Sequence, residues 1–156
     1  MVTAPKSYGK SLQASDLPDG IARFFPVHSG QSTQGLPKEL LLPVIRTIRK
    51  HVAAVRGAFR QLEMRMAGSS FLIIYEGDPE RVKQGVNLLE EGDEDGSKDK
   101  DEEEENAELS PPCVVKLIDF AHTEVVAGEG PDEGVLLGMD TTLKLLDGRI
   151  SQIKQF

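Results

Sequence analysis

The run CVVKLIDFAHTEVV, residues 113–126, decides how the rest of the chain is read. It is mostly apolar and β-branched, and it is interrupted by Asp119 and, three residues later, by His122. Its composition predicts a strand over 113–120 that buries Val115, Leu117 and Phe120. Such a strand has no packing reason to end in a carboxylate, because an unpaired buried charge is costly. A second run, SSFLIIYEGD at residues 69–78, has the same character and closes on a Gly-Asp turn signal. The two predict strands over 71–76 and 113–120, paired antiparallel across the polar segment between them. Loop-closure entropy tolerates that excursion, since each doubling of loop length costs only about 0.6 kcal/mol.

The polar segment also carries the charge. Residues 90–108, EEGDEDGSKDKDEEEENAE, hold twelve acids and two lysines, a net of −10 in a chain whose formal net charge is −8. Everything outside that stretch is therefore about +2 and can still attract an anionic ligand. With almost no apolar content the acidic run cannot offset its ordering entropy, and it is expected to be a disordered insertion within one domain. At 156 residues and 38% hydrophobic content, one domain with a modest core is the expectation. The single Cys113 allows no internal disulfide, and neither a signal peptide nor an apolar run long enough to span a bilayer is visible. A soluble protein of the cytoplasm and nucleus, with no membrane span and no direct nucleic-acid binding, is expected.

Upstream, Leu41, Val44, Ile45, Ile48, Val52, Val55, Phe59, Leu62 and Met66 recur mostly every three or four residues and predict one long helix over about 37–66. Pro43 is expected in its tolerant first turn, and Gly57 marks a candidate bend. SDLPDGIARFFP predicts a shorter helix around 15–25. Pro131 and Asp132 open a third, about 131–146, with Val135, Leu136, Met139, Leu143 and Leu146 on one side. Helix, helix, strand, strand, helix is an α+β pattern: a small antiparallel sheet packed with helices.

A carboxylate at the exposed end of a buried strand suits a divalent cation, because the sheet holds the oxygen still while its tip faces a cleft. Mg²⁺ takes one or two such carboxylates and fills its other positions with water and phosphate oxygens. Taken alone the signal is weak: an Asp after an apolar strand is more often a turn residue, and a lone His122 is more often a surface or hydrogen-bonding histidine than a ligand.

The run VVKLIDFAHT followed by GEGPDEGVLLGMDTTLKLL resembles the C-terminal part of the inositol polyphosphate kinase family. Those kinases end with an apolar strand, IDFAH, a Gly-rich acidic spacer, and a helix opening D-x-G. A second signature, Ser-Ser-Leu-Leu before a strand ending in Tyr and an acid, stands here as Ser69-Ser70-Phe71-Leu72-Ile73-Ile74-Tyr75-Glu76, with Phe71 for the usual Leu. A third, YGKSLQASDLPDGIARFFP, is similar to the segment before the long helix in the multikinase branch, especially its fungal members. The resemblance implies a kinase C-terminal lobe that phosphorylates inositol polyphosphates from ATP with Mg²⁺. It implies a metal-binding role for Asp119 and a catalytic, metal-side role for Ser70 beside the nucleotide phosphates. His122 matches a position that contacts substrate phosphate.

Arg46, Arg49, Lys50, Arg56, Arg60 and Arg65 read as the solvated face of the long helix rather than a phosphate site. Gly128, Gly130 and Gly134 read as turn residues, since neither G-x-x-x-x-G-K-[ST] nor a strand-borne G-x-G-x-x-G is present. The family's P-x-x-x-D-x-K-x-G string, whose Asp and Lys position the inositol hydroxyl and the transferring phosphate, does not occur in these 156 residues. The expectation is a lobe incomplete at its N-terminus and inactive as an isolated fragment. The alternative is a non-catalytic interaction module whose acidic loop contacts basic proteins.

Overall fold

The computed structural model describes residues 5–28, 35–92 and 111–156. Alternation of large apolar side chains draws the central pair of strands together. Strand β2 (Ser70–Tyr75) buries Phe71, Ile73 and Tyr75 in part, and β3 (Cys113–Ile118) does the same with Cys113, Val115 and Leu117. They pair antiparallel from Ser70 opposite Ile118 to Tyr75 opposite Cys113, as the sequence predicts. Phe120 departs from the expectation: the strand ends at Ile118 and Phe120 is 53% exposed. A second two-stranded antiparallel sheet joins β1 (Met64–Met66) to β4 (Thr123–Val125).

The long helix α3 (Lys38–Phe59) points Leu41, Val44, Ile45, Ile48 and Val52 into the main core, against Leu146, Ile150 and Ile153 of α5 (Glu133–Lys154). It ends seven residues before the predicted limit. Apolar period continues through Leu62 and Met66, but a tight turn of bonds from Arg60 to Arg56, Gln61 to Ala58 and Leu62 to Phe59 closes the helix. Met66 is then taken into the β1–β4 ladder. Pro43 sits in the second turn rather than the first and does not break the helix. A helix-interior proline costs about 3 kcal/mol. Each buried Leu, Val or Ile side chain nearby contributes about 1.5–3 kcal/mol in return, so the helix persists.

Helix α5 runs eight residues past its predicted end, because Ile150 and Ile153 extend the buried stripe. Arg49 pairs with Asp147 and Arg56 with Asp140. Both members of each set are seven residues apart, so two full turns of one helix register on two of the other. Among the described residues three further helices occur, α1 (Lys6–Ser11), α2 (Leu17–Phe24) and α4 (Pro79–Gly92). The second matches the predicted short helix, preceded by a 3₁₀ turn at Ala14–Asp16. The first and last were not predicted. Helix α4 begins where Asp78 Oδ1 accepts from Glu80 N and Arg81 N, with Pro79 in the first turn, and it buries Val82 and Val86. A Cβ on its Gly85 would stand 3.0 Å from Pro112, so glycine permits this contact with the lead-in to β3. Because α4 continues through Gly92, the first three residues of the predicted disordered segment are helical; residues 93–108 lie outside the described residues.

The architecture is α+β, with two small antiparallel sheets lying against the α3–α5 pair. A smaller core of Phe59, Met66, Leu136 and Met139 sits under the β1–β4 end, where Phe71 and Leu117 also pack. No helix among the described residues is long and apolar enough to cross a membrane.

Candidate functional site

Each ladder ends where the residues singled out from the sequence lie. Ser70 occupies the last rung of β2–β3, opposite Ile118, and Asp119 follows at once. Its backbone turns into the left-handed region, φ 67°, the only such non-glycine among the described residues. Asp tolerates that region better than most side chains, and strained backbone of this kind concentrates at functional sites. Ser70, Asp119 and His122 are all exposed. The structure therefore brings Ser70, on the last rung, and Asp119, directly after it, to one end of the sheet. His122 stands three residues further on, its carbonyl accepting from Ala67 N at 3.0 Å.

The outward face of β2–β3 was not read from the sequence. Ser70, Leu72 and Ile74 alternate outward, with Leu72 38% and Ile74 55% exposed, and their partners across the ladder are Ile118, Lys116 and Val114. This is an apolar floor with one ammonium beside it, and it runs up to Ser70 and Asp119. The uninterrupted apolar run at 71–75 contained the signal, since both faces of β2 are apolar and one core cannot cover both.

Behind the site, residues 63–66 lace the turn that leads into α5. Val126 N donates to the Glu63 carbonyl and Gly128 N to Glu63 Oε2 at 2.8 Å. Arg65 donates to the carbonyls of Gly130 at 2.9 Å and Glu129 at 3.1 Å. Arg65 thus belongs to β1, not to the helix face predicted for it. Gly128 and Gly130 are turn residues, with φ 83° and 71°. Asp132 caps α5 by accepting from Gly134 N and Val135 N, and its other oxygen takes Met66 N at 3.1 Å. Burial pushes the Asp132 carboxyl up, but those three N–H groups and the nearby Arg65 outweigh it and leave it below the ordinary value. Of the remaining basic residues, Arg49 and Arg56 are held by Asp147 and Asp140, which fits a structural role for them.

Among the described residues no group of three or more His, Cys, Asp or Glu side chains could hold a metal ion. No ion pair among them engages Asp119. A single available carboxylate cannot cage a cation, but it suits one that arrives with phosphate oxygens and water in its shell.

Comparison with known proteins shows the family. Residues 1–147 match the family described as inositol polyphosphate kinase, and the chain belongs to that family. It is 31% identical to the inositol polyphosphate multikinase of Saccharomyces cerevisiae over 166 aligned residues, covering 90% of this chain and 43% of the relative. It is 30% identical to inositol hexakisphosphate kinase 3 of Mus musculus, covering 90% of this chain and 32% of that protein. Among solved structures, the inositol phosphate multikinase of S. cerevisiae in complex with ADP and Mn²⁺ superposes with a TM-score of 0.61 at 31% identity, covering 90% of this chain and 48% of that one. The chain thus spans less than half the length of these relatives.

Proposed function

We propose that this chain supplies the metal- and nucleotide-facing wall of an ATP-dependent inositol polyphosphate kinase. The observation that carries the reading is the Ser70–Ile118 rung with Asp119 directly after it, at the end of an exposed apolar floor. Support comes from family membership and from the similar structure that holds ADP and Mn²⁺. The adenine would lie along Leu72, Ile74 and Ile118, and the phosphates would run toward Ser70 and Asp119. Asp119 would hold the divalent cation, Mg²⁺ in the cell, with Ser70 donating to phosphate or ligating through water. The cation, when bound, neutralises charge that develops on the transferring phosphoryl group.

In the reaction, an inositol hydroxyl oxygen bonds to the γ-phosphorus as the bond from that phosphorus to the ADP oxygen breaks. The hydroxyl proton is lost, and ADP and a phosphate monoester remain. His122 would donate to a substrate phosphate and so orient the acceptor. The work of such a site is positioning and charge stabilisation rather than covalent chemistry. Location in cytoplasm and nucleus, and contacts between the acidic segment and basic proteins, accompany the proposal on the strength of charge and composition alone.

The D-x-K-x-G string is not among these 156 residues, so a polypeptide of these residues alone is expected to bind nucleotide and metal without turnover. Titrating isotope-labelled chain with ADP and Mg²⁺ tests the wall itself. Metal-dependent shifts at Ser70, Leu72, Ile118 and Asp119, lost in Asp119→Asn, are expected. Shifts elsewhere, or shifts indifferent to metal and to Asp119→Asn, would overturn the assignment.

A further inference from the structure

The two ladders are one residue out of step. Met66 stands opposite Thr123, and Ala67 N bonds the His122 carbonyl, so the β1–β4 register extends to that pair. The next rung is Ser70 opposite Ile118. From Ala67 to Ser70 is three steps along one strand, whereas from His122 back to Ile118 is four along the other. Gly68 and Ser69 therefore face Asp119, Phe120 and Ala121, a bulge of one extra residue. Both sides of the break enter the left-handed region, Gly68 at φ 75° and Asp119 at φ 67°.

The break reverses the pleat. Met66 and Phe71 are five residues apart, so in an unbroken strand they would point to opposite faces. Yet both pack on the same small core. Their partners Thr123 and Leu117 are an even number apart and need no reversal. The irregularity on the β1–β2 side falls at Gly68. A Cβ there would meet nothing within 4 Å, so only its φ, not space, calls for glycine.

We propose that Gly68 is a positioning residue: its left-handed backbone lets the two ladders share one core while one out of step, and that offset sets how Asp119 and His122 are presented to the ligand. The inference rests on the nucleotide and metal reading above. The extra residue falls in the segment that leads from Asp119 to His122, and both ends of that segment are pinned, at Ile118 and at the His122 carbonyl. Neither residue can shift without changing the offset.

The test compares Gly68→Val, which the left-handed region disfavours, with Gly68→Asn, which it tolerates. A variant of the main core on α4, Val82→Ala, controls for stability. Amide signals of residues 119–122 and ADP affinity with Mn²⁺ are measured where each protein is folded. Gly68→Val should move those signals and weaken Mn²⁺-dependent ADP binding about tenfold or more, because small misplacements of catalytic groups cost that much. Gly68→Asn should stay within about twofold of wild type, and Val82→Ala should bind normally despite a lower Tm. Wild-type signals and affinity in Gly68→Val, or an equal loss in Val82→Ala, would overturn the inference. A wild-type chain that binds no ADP with Mn²⁺ would reject the nucleotide reading instead, and the 119–122 signals would then decide the role of Gly68 by themselves.

Discussion

Ser70 lies directly opposite Ile118, so Asp119 leaves the sheet beside the hydroxyl with which it is expected to work. The two residues are 49 positions apart in sequence, and the ladder alone unites them. A hydroxyl on the last rung and a carboxylate directly after it would need little reorganisation when a metal-bound nucleotide arrives, which is the condition for electrostatic catalysis.

Asp119→Asn, in a family member carrying these motifs, should lower phosphoryl transfer by at least about a hundredfold, or roughly 2.7 kcal/mol of barrier. Asn also tolerates the left-handed backbone, so urea unfolding should change little. Activity with Mg²⁺ within twofold of wild type would show that Asp119 does not hold the cation.

Ser70→Ala removes one hydroxyl from an exposed strand end and should leave stability unchanged. A hydrogen bond to a charged group contributes about 1.5–3 kcal/mol, so ADP affinity in the presence of metal should fall about tenfold or more. Equal affinity in calorimetric titrations would place the phosphates elsewhere.

Asp132→Ala should destabilise the fold by about 1 kcal/mol through loss of the α5 cap, and further because Met66 N loses its partner. The folded carboxyl lies below its ordinary value of 3.8. Its ionised form is thus favoured by folding, and its contribution is complete above about pH 4 and lost as pH falls through the lower folded value. The wild type should lose stability on acidification over that range more steeply than Asp132→Asn. Parallel pH profiles in urea denaturation would exclude the linkage.

Arg149→Lys should destabilise by about 1–3 kcal/mol, because it leaves the buried Phe25 carbonyl without the forked donation it receives at 2.6 and 3.1 Å. Burial holds the Arg149 guanidinium below its usual range, but arginine stays charged at any working pH. Thermal unfolding unchanged by the substitution would show that the link between α5 and the end of α2 is idle.

Much of this was legible in the residues themselves. The apolar, β-branched and aromatic runs at 71–75 and 113–118 identified both strands, and the polar excursion between them suggested their antiparallel pairing. The three-and-four spacing from Leu41 to Phe59 identified the long helix, and the ordered motifs around Ser70, Asp119 and His122 identified the family. These are local periods, and burial of one face suffices to enforce them.

Where period ran past an element, the sequence misled. Leu62 and Met66 continue the helical spacing of α3, but backbone groups of residues 63–67 find partners in residues 122–132, and those partners are remote in sequence. Helix α4 was hidden because its two buried valines are meaningful only against α3 and Pro112. The one-residue offset at Gly68 could not be read at all. A register is a relation between two strands, settled where Met66 and Phe71 both pack on the same small core, and it leaves no mark in the period of either strand alone. Sequence therefore singled out the residues expected to carry the chemistry; tertiary packing decided where on the fold they stand.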